Sequence, residues 1–288
     1  MDTAPETTPQ SQRHELWSRL PLVDYIASHR RAEGGLTIFQ HIPKTAGSSL
    51  VAELQRHIGG YHSLHNDFSG LGTDDVVHEG LAERLRAEMH GVLDQALVRY
   101  QPGVMRSMSG HIHHEHVDRL RAVFPDALFF TFLRSPVARV ISHYRYQRTP
   151  AHPPYRAFIR ACPTFEHYLE NDPDSSDMMF DYLVGRDYGL EEGIARVERL
   201  YTFIGIQEMY PMSFDILMRL HGLDVRPSAR LRMTEGTADN EVELTPELRA
   251  RIEARNPKDV ALYNHFLAKM RARRGEWQAL RAAGGTAK

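Results

Sequence analysis

Three short segments gather side chains able to hold or move charge. The first, Pro43-Lys44-Thr45-Ala46-Gly47-Ser48-Ser49, packs a lysine, three hydroxyls and a glycine into seven residues. Such a turn at a helix start aims backbone N–H groups at one spot, and a glycine there lets a phosphate come close. It fails the nucleoside-triphosphatase pattern GxxxxGK[ST], because Lys44 precedes the glycine and no glycine lies five residues before Gly47. The plain alternative is a Ser/Thr-capped helix with an exposed lysine. The second segment is Arg134-Ser135-Pro136, followed by Ser142 two helical turns later. A guanidinium fork with a hydroxyl suits a terminal phosphate monoester. Arg134 could equally cap a neighbouring helix or pair with an acid. The third, GHIHHEH over 110–116, sets four histidines within six residues. It admits a metal site, a solvated loop or a general base. Without HExxH spacing, so local a run does not easily aim four ligands at one tetrahedral centre.

The elements that must position these groups can be read from the pattern. Leu36–His41 reads as a strand feeding the first turn, and Leu50, Leu54 and Ile58 mark the helix after it. Ala127–Leu133 (ALFFTFL) is continuously apolar between Pro125-Asp126 and Arg134-Ser135-Pro136, which predicts a central parallel strand buried on both faces. A helix from Pro136 carries Val140, Ile141 and Tyr144. Weaker strands are expected at 104–109 and 202–206, and loops at 59–75 and 149–163. Helices are expected over about 76–89, 91–100, 164–200 and 211–221, with 224–243 as a linker. Thr245 caps a helix over 246–255, and another runs over 257–274. Alternating strands and helices predict an α/β fold with a central parallel sheet flanked by helices. The expected division is a disordered tail over 1–12, an N-terminal helical segment over 13–35, one domain over 36–274 and a flexible tail over 275–288.

Composition narrows the function. The chain has 288 residues, 35 Lys+Arg against 37 Asp+Glu, and a net charge of −2, which lacks the basic field of a general nucleic-acid binder. One cysteine excludes an internal disulfide framework and any multi-cysteine metal site. No apolar run reaches the 18 or so residues of a membrane span, and the polar start does not read as a secretory signal. A cytoplasmic protein that binds neither nucleic acid nor membrane is expected.

Taken together, HIPKTAGSSL resembles the 5′-phosphosulfate loop, and LRSPVARVISHYRY the 3′-phosphate motif, of sulfotransferases that use 3′-phosphoadenosine-5′-phosphosulfate (PAPS). The match is closest to the branch holding heparan sulfate 2-O-sulfotransferases and bacterial carbohydrate sulfotransferases. FIGIQEMYPMSFDILMRLHG resembles the segment that closes over the nucleotide, and NPKDVALYNHF the Asp-x-x-Leu-Tyr signature of a late helix. The resemblance runs in order from about residue 36 to 270, and it implies an α/β, P-loop-like three-layer fold with a central parallel sheet flanked by helices. Ser135 stands where the 3′ motif usually has aspartate, and Ser109 where a His-Gly-His segment has its first histidine.

The resemblance implies transfer of a sulfuryl group from PAPS to a hydroxyl, or as second choice an amine, of a glycan or small-metabolite acceptor. Pro43, Lys44, Thr45, Ala46, Gly47, Ser48 and Ser49 would hold the 5′-phosphate, with Lys44 neutralising the leaving oxygen. Arg134 and Ser142 would hold the 3′-phosphate. His111 would be the base, with His113 as its understudy, and no metal is implied. The competing expectations are an ATP-dependent kinase with a P-loop-like site, and a catalytically silent nucleotide-binding protein.

Overall fold

The computed structural model describes residues 15–64, 81–152, 154–228 and 240–284. The tail expected over 1–12, most of the loop expected over 59–75, the start of the helix expected over 76–89 and much of the linker expected over 224–243 lie outside them.

Among the described residues one five-stranded sheet forms the middle layer, all of its pairings parallel. Its strands are β1 (Thr37–Gln40), β2 (Tyr61–Ser63), β3 (Ser107–Gly110), β4 (Leu128–Leu133) and β5 (Phe203–Ile206), in the spatial order β2-β3-β1-β4-β5. β1, β3, β4 and β5 are buried along their whole length, as a parallel sheet covered on both faces requires. The run LFFTFL shows why: Phe130 stacks on Phe39 of β1 at 4.7 Å between ring centroids, and Phe132 meets Phe203 of β5 edge-on. Each such ring contributes roughly 1.5–3 kcal/mol by burial.

The helices follow the expected plan with four differences. In order they are α1 (Glu15–Arg19), α2 (Leu22–Ser28), α3 (Gly47–His57), α4 (Leu81–Arg99), α5 (His114–Val123), α6 (Pro136–Gln147), α7 (Tyr155–Ala161), α8 (Phe165–Asn171), α9 (Met178–Leu183), α10 (Leu190–Leu200), α11 (Tyr210–Leu220), α12 (Pro246–Arg255), α13 (Pro257–Ala272) and α14 (Arg274–Gly284). The first difference is β2, a polar three-residue edge strand inside the expected loop over 59–75, too short to show alternation. The second is α4, continuous through Gly91 where two helices were expected, since one glycine costs only about 1 kcal/mol in a helix. The third is α7, which buries Ala157 and Phe158 within the proline-rich stretch expected as loop. The fourth lies in the segment expected as a flexible tail over 275–288. Its residues through Gly284 complete α14, where Trp277 Nε1 donates to Asp215 Oδ2 (2.9 Å) and Glu276 accepts from Leu22 N (2.5 Å). Trp277 and Leu280 provide the apolar contacts that hold it down.

The strand order fixes the place of the site. From β1 the chain crosses to β2 at one edge, and from β4 it crosses to β5 at the other. The switch point, where ligands collect in open α/β sheets, therefore lies beyond the carboxyl ends of β1 and β4. α6 is seated there by a second apolar cluster of Val137, Val140 and Tyr144 with Phe158, Phe165, Tyr168 and Ile252.

Candidate active site

The turn leaving β1 is built under strain. Lys44 and Ala46 adopt left-handed backbone, at φ 67° and 81°, while Thr45 between them does not. Each such non-glycine residue costs on the order of 1–3 kcal/mol, and the alternation is the backbone pattern of anion-binding nests. Thr45 is buried and its hydroxyl donates to the Ile42 carbonyl (2.9 Å), so its proton closes the turn. Ser49 is buried on the first turn of α3, and Ser48 is exposed. Gly47 is dictated by packing: a Cβ there would fall 1.6 Å from Nε2 of His41, whose ring lies beneath the helix start.

His41 links this turn to the histidine segment. Its backbone N–H donates to the Gly110 carbonyl (2.9 Å), and its ring lies 4.2 Å from that of His111. His111 Nδ1 sits 2.7 Å from the His41 carbonyl oxygen. A carbonyl only accepts, so Nδ1 carries a proton, and whenever the ring is neutral its lone pair lies on Nε2.

The other histidines of the segment diverge. His113 stacks its ring on Tyr182 at 4.0 Å, and its backbone N–H donates to Nδ1 of the buried His116 (3.1 Å) at the start of α5. His114 lies against Gly185 and Glu115. Among the described residues no three His, Cys, Asp or Glu side chains come together as a metal-holding group. Beneath the site Gln40, at the end of β1, donates to the carbonyls of Ile112 and Tyr182 (2.8 Å each) and accepts from the Tyr201 hydroxyl. This ties the ends of β1 and β3 to α9.

The turn leaving β4 meets the first one. Arg134 Nη1 donates to the Lys44 carbonyl oxygen (3.0 Å), bringing the two sequence-predicted cations to one place. Burial, and then the charge of Arg134, pulls the Lys44 ammonium down to about 8. Burial also lowers Arg134, with Glu208 opposing and Arg139 adding. The Lys44 Nζ rests over the Tyr146 ring, 4.1 Å from its centroid. Ser142 is half-buried on α6. Pro43 and Ala46, also half-buried, frame the first turn.

Several residues of this neighbourhood escape a sequence reading. His143, one residue past Ser142, is buried and held well below its ordinary pKa, first by desolvation and then by Arg139 and Lys44. It is a neutral imidazole whose Nδ1 pairs with the Tyr168 hydroxyl (3.0 Å). His152 is lowered to about 4 by burial and lies beside Tyr146. Arg139 is fully buried, donating to the Asp174 carbonyl and facing Asp259 at 3.9 Å. Asp259 accepts from the backbone N–H groups of Met179 and Phe180, so the Asp of the Asp-x-x-Leu-Tyr signature serves the start of α9. An arginine inside an apolar helix run was the one signal for this pair.

The profile of the family described as Galactose-3-O-sulfotransferase matches residues 37–286. A search of curated proteins gives no match. Among solved structures the chain is similar to a sulfotransferase from Alicyclobacillus acidocaldarius, at 17% identity over 81% of this chain and 96% of that one, with a TM-score of 0.46. It is also similar to the mouse sulfotransferase SULT7A1 complexed with PAP, at 12% identity over 86% and 94%, with a TM-score of 0.42. Among the described residues no helix is long and apolar enough to cross a membrane. The family profile spans the sheet, the turns after β1 and β4 and the late helices, and the chain belongs to the Galactose-3-O-sulfotransferase family, as an enzyme that transfers a sulfuryl group.

Proposed function

We propose that the crevice at the switch point binds PAPS, with the β1 turn on its 5′-phosphosulfate and the β4 turn on its 3′-phosphate. The observation that carries this reading is the meeting of Lys44 and Arg134. Two partly buried cations from separate strand ends touch through Arg134 Nη1 and the Lys44 carbonyl, and the ammonium is pulled down to about 8. An anion between them reverses that cost. The nest formed by the strained Lys44 and Ala46 supplies amides for the same anion.

When bound, PAPS supplies a sulfuryl group on a phosphate leaving group. Lys44 stabilises negative charge on the bridging oxygen, the amides of 45–49 with the Ser48 and Ser49 hydroxyls hold the 5′-phosphate, and Arg134 with Ser142 holds the 3′-phosphate. The Thr45 hydroxyl shapes the turn instead of reaching the ligand. His111 Nε2 takes the acceptor proton as the acceptor oxygen bonds to sulfur. The bond from sulfur to the bridging oxygen breaks, and its electron pair leaves with 3′,5′-adenosine bisphosphate (PAP). His111 is preferred over His113 because its tautomer is set by the His41 carbonyl, whereas the His113 ring is stacked on Tyr182. Charge stabilisation comes from these side chains and amides, with no step routed through a metal.

For the acceptor we infer a glycan hydroxyl. The family description names the 3-hydroxyl of galactose, and the near-neutral charge does not suit a heavily sulfated polymer. A small hydroxylated metabolite is the second choice.

Calorimetric titration with PAP, 5′-AMP and ATP–Mg²⁺ tests the cofactor. Metal-independent binding that depends on the 3′-phosphate is expected; no binding, or preference for ATP–Mg²⁺, overturns the reading in favour of a kinase. Replacing His111 with Ala is expected to lower turnover by about 10²-fold or more while PAP affinity holds. Equal losses in both would assign His111 a structural role.

A further inference from the structure

The turn that carries Arg134 lacks a side-chain cap of its own. Ser135 is the N-cap residue of α6, with φ −47° and ψ 123°, and its hydroxyl makes no cap hydrogen bond. Its backbone N–H instead donates to Oε1 of Glu208, 2.9 Å away on the 3-10 turn that follows β5. The buried Tyr263 of α13 lies beside the same carboxylate, whose charge, after burial, raises its phenol above the ordinary value. Glu208 therefore joins three elements at one point: the start of α6, the end of β5 and α13. These are the segments FIGIQEMY and NPKDVALY, which the catalytic scheme leaves without a role.

Arg134 itself is steadied from two sides. Its Nη1 is tied to the Lys44 carbonyl, and the Glu208 charge favours its guanidinium. A carboxylate near a phosphate-binding arginine repels the phosphate by its charge, so its value here must come from geometry. We infer that Glu208 is a positioning residue for the 3′-phosphate, fixing the Arg134-Ser135 peptide through the Ser135 N–H. The inference rests on the PAPS reading of the crevice.

The test compares PAP with 5′-AMP on the full chain carrying Glu208→Ala or Glu208→Gln. Glutamine keeps an acceptor oxygen for the Ser135 N–H and removes the charge; alanine removes both. Glu208→Ala is expected to weaken PAP about tenfold while 5′-AMP affinity is unchanged, since a hydrogen bond to a charged group is worth about 1.5–3 kcal/mol. Glu208→Gln is expected to stay within about threefold of the parent for PAP. Glutamine behaving like alanine would overturn positioning by hydrogen bonding, as would an equal loss of PAP and 5′-AMP in Glu208→Ala, which marks a general packing role. A parent protein with no preference for PAP over 5′-AMP would overturn the PAPS reading itself and take this inference with it. A parent that prefers PAP with a Glu208→Ala variant that keeps the preference would overturn the inference alone.

Discussion

The two strand–turn–helix units at the centre of the sheet share a topology and differ in how they are made. After β1 the chain passes through two left-handed non-glycine residues, packs Gly47 onto the His41 ring, and leaves Lys44 over Tyr146 with its ammonium near pKa 8. After β4 it enters α6 through Pro136 at the first turn, with no positive φ, and takes its backbone partner from Glu208. Strain and a destabilised cation sit at the turn assigned to the reacting sulfur. Relaxed geometry and a braced arginine sit at the turn assigned to recognition. One fold unit can thus serve catalysis or selection, depending on whether its charge is left wanting a partner or tied down beforehand.

The contrast predicts unequal consequences for the two cations. Lys44→Ala should cut sulfuryl transfer by about 10³-fold in a single-turnover assay with radiolabelled PAPS, with PAP weakened only about tenfold. Parent-like activity would remove Lys44 from the reaction. Arg134→Ala should do the opposite. PAP should weaken about 10²-fold in calorimetry while 5′-AMP holds, because the lost group is a charge-assisted fork on the 3′-phosphate.

The lowered ammonium also gives a pH signature. An anion binds the protonated form of Lys44, and binding raises its pKa above the value near 8 of the ligand-free protein. Affinity for PAP should therefore be level below about pH 8 and decline above it, by at most about tenfold per pH unit. The decline should vanish in Lys44→Met; a decline that persists there would place the titration elsewhere. The smallest effect is expected at Ser135, whose side chain makes no cap bond. Ser135→Ala should shift stability by less than about 0.5 kcal/mol in chemical denaturation, far below the roughly 1 kcal/mol of a working cap.

The sequence carried much of this plan and missed the rest for identifiable reasons. LFFTFL is legible as a strand because burial on both faces leaves a run apolar but for Thr131, and LTIFQH because Leu36, Ile38 and Phe39 lead into the glycine-bearing turn. The two turns are legible because lysine, arginine, glycine and hydroxyls cluster within a few positions. What joins them is not local. Strand order decides that Gln40 stands opposite both Gly110 and Thr131, which brings His41 beside His111. No spacing in the chain encodes that register. The backing of Ser135 by Glu208 spans 73 positions, and the pairing of Arg139 with Asp259 is longer still. α14 reads as a tail because its apolar content is thin, yet its Trp277 reaches a buried carboxylate on α11.

The division of labour between the turns is tested most directly by a crystal structure of the protein with PAP bound. The 5′-phosphate is expected against the amides of 45–49 with Lys44 drawn off the Tyr146 ring toward it, and the 3′-phosphate on Arg134 and Ser142. A nucleotide lying elsewhere, or one whose 3′-phosphate points into solvent with Arg134 still on the Lys44 carbonyl, would contradict that division.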